Sequence, residues 1–195
     1  MSASGLLAEV EEQARREAKA ALRQANLKAM EKRPGTSVPP FVYELTPPIP
    51  TEESAKLDAN LKKNSTFIKK LKETSDKARE PLLKELATLK IGKYLDEVVQ
   101  AMLEAKLKTA ADIDAAVALC SALHQRYADF APKMLAGLRA QATVKGEAQR
   151  PSLRLLAELL LVAVYNEQKV LYEAMREVVN LFGIDSFKNY AGDSL

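Results

Sequence analysis

Cys120 and His124 are the side chains best suited to metal or nucleophile chemistry. They stand four residues apart, which puts a thiol and an imidazole on one face of a helix. The chemistry stops there for want of partners. A structural zinc takes about four protein ligands and a catalytic zinc about three, whereas the chain has one Cys and one His. The same shortage removes Cys/His and Ser/His nucleophilic catalysis and leaves His124 as a solitary imidazole base. The pair therefore reads as a core cysteine beside a hydrogen-bonded histidine. No G-x-G-x-x-G or G-x-x-x-x-G-K-[ST] run is present to cradle a phosphate. The residues predict neither an enzyme nor a bound cofactor or metal.

Lysines are the other polar feature. Lys62 and Lys69, and likewise Lys63 and Lys70, are seven residues apart, so on a helix they form two adjacent columns about two turns long. No acidic residue lies between Asp58 and Glu73. Such a stripe can neutralise RNA phosphates, dock an acidic partner, or simply solvate a helix face. Phe67 is the aromatic residue within it, too little for base-specific stacking. Asn64-Ser65-Thr66 fits a glycosylation acceptor, but its expected place inside a helix, in a reducing compartment, argues against its use.

The elements that must hold these residues are helical. Over residues 112–138 Ile113, Ala116, Val117, Cys120, Leu123 and Tyr127 recur at three- and four-residue steps, and Phe130, Met134, Leu135 and Leu138 resume the rhythm after a tight reset at 127–129. Asp129 is expected to cap the second helix, and Pro132 falls in its first turn, where a missing amide proton costs nothing. Two amphipathic helices joined by so short a turn lie antiparallel and share a core.

Before this pair, residues 6–31 predict a long helix with a thin stripe of Leu6, Val10, Ala14, Ala18, Leu22 and Ala25. Six of the nine prolines fall in residues 34–50, which also carry Phe41, Val42, Tyr43, Leu45 and Ile49. An extended strap over the helices is expected, with a disordered linker and a proline-rich ligand as the alternatives. Thr51 caps a helix ending near Thr74, whose inner stripe is Leu57, Leu61, Ile68 and Leu71. A second helix begins at Pro81 with Leu82, Leu83, Leu86 and Leu89 inward, and a third runs from Tyr94 to about Leu107. After a polar loop over 143–150 comes a nearly all-apolar helix, 151–165, and then a last one capped by Asn166 and closed by Gly183. Ile113, Val117, Cys120, Leu123, Leu156, Leu159 and Leu160 should be buried together. Antiparallel pairs in succession predict an all-α, HEAT-like stack.

Composition sets the outer bounds. At 195 residues, 47% apolar and 28% charged, the chain can bury a sizeable core and shows no bias towards disorder. The most apolar run, 155–165, is about half of the roughly 20 residues a membrane span needs. One cysteine excludes an intrachain disulfide and suits a reducing compartment. A net charge of +3 neither demands nor excludes nucleic acid.

The run LCSALHQRYADFAPKML around the 127–132 corner, with KLDANLKKNSTFIKKLK at 56–72 and EAKLK at 104–108 in the same order, resembles the eIF-4G-type middle domains of the up-frameshift-two family of nonsense-mediated mRNA decay factors. The first such domain is the one it is similar to. LRQANLKAMEKRP at 22–34 extends the likeness, which covers 22–182. The resemblance implies an eIF-4G-type middle domain over 51–183, incomplete at its C-terminus. A charged helical arm (1–33) and the proline-rich strap (34–50) precede it, and a tail (184–195) follows. It implies a non-enzymatic scaffold module of mRNA surveillance in the cytoplasm, perinuclear regions included. Tyr127, Asp129, Phe130 and Pro132 would be its structural signature. Other mRNA decay factors would be its partners. Those of the family, the up-frameshift-one helicase and the up-frameshift-three protein, would be held mainly through other domains. A direct RNA-binding middle domain, as in translation-initiation scaffolds, is the competing reading.

Overall fold

The computed structural model describes residues 3–31, 60–142, 149–165, 172 and 176. The helices are α1 (Ala3–Glu31), α2 (Leu61–Leu71), α3 (Asp76–Thr88), α4 (Leu95–Leu103), α5 (Ala110–Arg126), α6 (Phe130–Ala142) and α7 (Gln149–Leu161), with a 3-10 turn, Gly92–Tyr94, ahead of α4. The strap at 34–50, Thr51, Leu57, most of the loop at 143–150, the caps expected at Asn166 and Gly183 and the tail at 184–195 lie outside the described residues.

Contacts run α2 to α4 to α6 and α3 to α5 to α7, while α2–α3, α5–α6 and α6–α7 join the two rows. This is the two-layer stack of a HEAT-like array, in which each hairpin buries its apolar face against its neighbours. Helix α5 is the spine: Ala115 through Leu119 and Cys120 are all buried on it, and α1, α3 and α7 pack around it. Ile113, Val117, Cys120, Leu123, Leu156 and Leu159 share one core, and Leu160 is half-buried against it.

Local chemistry explains where the helices begin. Asn60 starts α2 by accepting the amide protons of Lys62 (2.9 Å) and Lys63 (3.4 Å) on its side-chain oxygen. Thr109 and Asp112 form a capping box at α5: the threonine hydroxyl accepts from Asp112 N (3.1 Å) and the carboxylate accepts from Thr109 N (2.9 Å). The same carboxylate accepts from Lys108 N and from Asp76 N, the first residue of α3, at 3.3 Å each, so one side chain ties two helix starts together.

Four sequence expectations are corrected. Leu61 is 60% exposed, because α2 is rolled to bring the Asn64 amide within 3.2 Å of the Lys90 carbonyl; its inward residues are Asn64, Phe67 and Leu71. Helix α3 begins at Asp76, behind Ser75, so Pro81 lies inside it rather than at its start. The third helix stops at Leu103 and not near Leu107. Helix α7 stops at Leu161, because Ala163 turns into the left-handed region (φ 55) and the Val164 amide folds back onto the Leu159 carbonyl (3.0 Å).

At the 127–132 corner the chain passes from α5 to α6. Asp129 stands directly before α6, Pro132 is in its first turn, and Phe130 is fully buried. Truncating that ring removes a large fully buried side chain, so Phe130→Ala should cost about 3–5 kcal/mol, read as a lowered urea midpoint at unchanged m-value. A neutral outcome would mean the ring is not part of the core.

Asp112 titrates below the usual carboxylate range. Burial pushes its pKa up, but the hydrogen bonds from Thr109, Asp76 and Lys108 outweigh it and leave it lowered. A folded-state pKa below the unfolded one gives stability that is complete above the unfolded value, about 3.9, and is lost as pH falls through the folded value. Asp112→Asn should flatten this acid limb in thermal melts taken between neutral and acid pH. An unchanged slope would contradict the assignment.

Candidate interaction surface

Chemistry at Cys120 and His124 is closed off by burial. Both side chains are inside α5, at 0% and 1% exposure, and desolvation pushes the Cys120 thiol up to about 12, so it stays protonated at neutral pH. Among the described residues no group of three His, Cys, Asp or Glu is placed to hold a metal ion. None of their helices is long and apolar enough to cross a membrane. The acceptor-like Asn64 is buried and spends its amide on Lys90, which takes it out of reach of a glycosylating enzyme.

The four lysines do come to one exposed surface of α2, but not as equals. Lys70 is drawn sideways to Glu85 of α3 at 2.8 Å. Lys72, at the end of the same helix, meets Glu104 at 2.7 Å. Lys62 and Lys69 make no ion pair among the described residues, and they stand on the outermost face with Ser65 and Thr66. Lys63 is exposed beside them.

Sequence reasoning missed two further cations. The Asn64 bond to the Lys90 carbonyl pins the connection between α3 and α4, which carries exposed Lys90 and Lys93, against the first turn of α2. Neither makes an ion pair among the described residues. They are far from the α2 stripe in sequence, and only the fold brings the two groups together. Phe67 is fully buried, so no aromatic platform faces this surface from α2.

The signature residues have a different job. Arg126 donates to the carbonyls of Leu86 and of Leu89 (3.1 Å), closing the end of α3, and its guanidinium lies 5.6 Å from the centre of the Tyr127 ring. The Tyr127 hydroxyl accepts the Ile91 amide proton at 3.2 Å. A Cβ on Gly92 would come within 3.2 Å of the same ring, so the chain passes close against it. The motif is a structural lock that joins α5 to the α3–α4 connection.

No protein-family model matches the chain. Regulator of nonsense transcripts 2 from Homo sapiens is 37% identical over 136 residues, which is 65% of this chain and 11% of that protein. The Arabidopsis thaliana regulator of nonsense transcripts UPF2 is 34% identical over 138 residues, 64% of this chain and 12% of its own length. The chain thus spans about a tenth of the length of these relatives. Among solved structures, the first MIF4G domain of human nonsense-mediated decay factor UPF2 superposes with a TM-score of 0.73 at 31% identity, covering 91% of this chain and 56% of that one. The N-terminal MIF4G domain of Saccharomyces cerevisiae Upf2, at 24% identity and TM-score 0.65, shares the fold over 84% of this chain and 60% of its own.

Tyr127→Phe tests the lock. It keeps the ring and leaves the buried Ile91 amide without its acceptor, a loss of about 1–3 kcal/mol in the denaturation midpoint. Exchange at the Ile91 amide should rise with it. A variant as stable as the parent would show that the hydroxyl contributes nothing.

Proposed function

Since the chain is a homologue of the regulator of nonsense transcripts 2 proteins over their first MIF4G domain, and so a nonsense-mediated decay factor domain, we propose that it acts as a non-enzymatic interaction module in the assembly of mRNA surveillance complexes. One observation carries the reading. The residues able to do chemistry, Cys120 and His124, are buried, while unpaired lysines remain outside. A rigid helical stack with a charged exterior suits holding partners rather than converting a substrate. The partners are other decay factors of the cytoplasm. In this reading the up-frameshift-one helicase and the up-frameshift-three protein are held mainly through other domains of the family's proteins. Co-precipitation of the tagged chain from nuclease-treated eukaryotic lysate should retain decay factors; retention of none would defeat this reading.

A second reading, direct RNA binding, is favoured by the lysines that no carboxylate engages among the described residues. Lys62 and Lys69 on α2, and Lys90 and Lys93 on the α3–α4 connection that meets its first turn, offer four exposed cations. Each single-strand phosphate neutralised adds about 0.7 to the log–log salt slope, so four give about −3. Replacing these four by glutamine should flatten the slope of binding to a single-stranded RNA, uniformly across sequences and with little change in thermal midpoint. Replacing the paired Lys70 and Lys72 should change it far less. RNA affinity that is absent at low salt in the parent chain would exclude this reading and leave the protein-binding one standing.

A further inference from the structure

Helix α1 is held to the stack by charge. Its Arg15 guanidinium meets the Asp114 carboxylate of α5 at two points, 2.7 and 3.1 Å. Lys19 lies 2.6 Å from Glu158 of α7 and 3.5 Å from Asp114. Arg23 donates to the Leu161 carbonyl at 2.8 Å. Asn26, fully buried, donates to the Val162 carbonyl (2.8 Å) and the Ser121 hydroxyl (3.1 Å) and accepts from Gln125 (2.9 Å). These four residues, at steps of four, four and three, make one polar face of the helix.

The apolar stripe expected from sequence lies elsewhere on α1. Val10 is 67% exposed, and Ala14 and Ala18 are exposed. Leu22 is the α1 side chain that packs against the buried core of the described residues. That core is built from α2 to α7 and the turns between them, without an α1 residue among its fully buried apolar members.

We infer that α1 is a polar latch, which leaves α5 and α7 as a unit while the stack from α2 to α7 stays folded. Few apolar contacts and many charged ones place an element at the low end of local stability. Ionic contacts at a partly exposed seam weaken with salt, whereas the apolar core does not. Opening has a defined consequence. The carbonyls of Leu161 and Val162, which α1 closes, are released at the point where the chain leaves α7. The latch therefore couples the N-terminal arm to the C-terminal end of α7. It depends on α1 contacts alone and is independent of the partner that the lysine surface takes.

Hydrogen exchange on the full chain, followed by mass spectrometry, tests it. Amides of 9–31 should exchange about tenfold or more faster than those of α5. Raising salt from about 0.05 M to about 1 M, which shortens the screening length severalfold, should speed them further and leave α5 and α6 unchanged. Glu158→Gln should act as salt does. Arg15→Gln, which removes the paired contact with Asp114, should act in the same direction, and it serves as the readout if the Glu158 variant folds poorly. Exchange of α1 in step with α5 at every salt concentration would overturn the inference, since α1 would then be an integral layer. A Glu158→Gln or Arg15→Gln chain that folds and protects α1 as the parent does would overturn it too, because the ionic seam would not be what holds the helix.

Discussion

A helix ends in carbonyls that its own turns cannot satisfy, and in this stack those ends are closed from other helices. Arg126 of α5 closes α3 at Leu86 and Leu89, and Gln141 of α6 closes α4 at Leu103 (2.9 Å). At α7 every carbonyl from 158 to 162 has a donor. Val162, Val164 and Ala163 return their amides to Glu158, Leu159 and Leu160, and Arg23 and Asn26 of α1 take Leu161 and Val162. A buried carbonyl without a donor is costly, and a cation at a helix C-terminus also complements its dipole. Two of these donors come from the next helix in the same row. The closure that satisfies one helix thus fixes the spacing of its row.

This constraint gives the segment from Leu119 to Pro132 its character. Within a few residues it supplies core (Leu119, Cys120, Leu123, Phe130), a helix closure (Arg126) and a hydroxyl that fastens the following connection (Tyr127). Replacing any of these types alters two neighbours at once. The distinctiveness of the run arises from packing and hydrogen bonding, with no substrate or ligand needed to explain it.

The stack is legible in sequence wherever burial is apolar. Periodicity over 112–138 locates α5, the corner and α6, and the nearly all-apolar stretch after Pro151 locates α7, because three- and four-residue steps of large side chains record which face is inside. The same reading fails where the inward face is polar. In α1 the alanine stripe is conspicuous but buries little area, while Arg15, Lys19 and Asn26, which make the contact, look like solvent residues. In α2 an asparagine holds the inward position that Leu61 seems to claim. Two helix ends are displaced for related reasons. Pro81 has the look of a start although a helix interior tolerates it here, and Ala163 ends α7 in a conformation usually given to glycine. The lysine surface is half legible. Periodicity puts Lys62 and Lys69 on one face, but it cannot bring the connection bearing Lys90 and Lys93 to the first turn of α2 nor show Glu85 occupying Lys70.

For function, the consequence is a division of labour among polar residues. Those that are buried or half-buried, Asn26, Asn64, Ser121, Arg126 and Asp112 among them, each have a partner fixed by the fold. They tie the helices of the stack to one another. Recognition requires the opposite property, a charge whose position the fold sets but whose pairing it leaves open. Among the described residues Lys62, Lys69, Lys90 and Lys93 meet no carboxylate, whereas Lys70 and Lys72, equally basic, each do. These exposed lysines could change without removing a hydrogen bond that closes a helix end, whereas Arg126 could not.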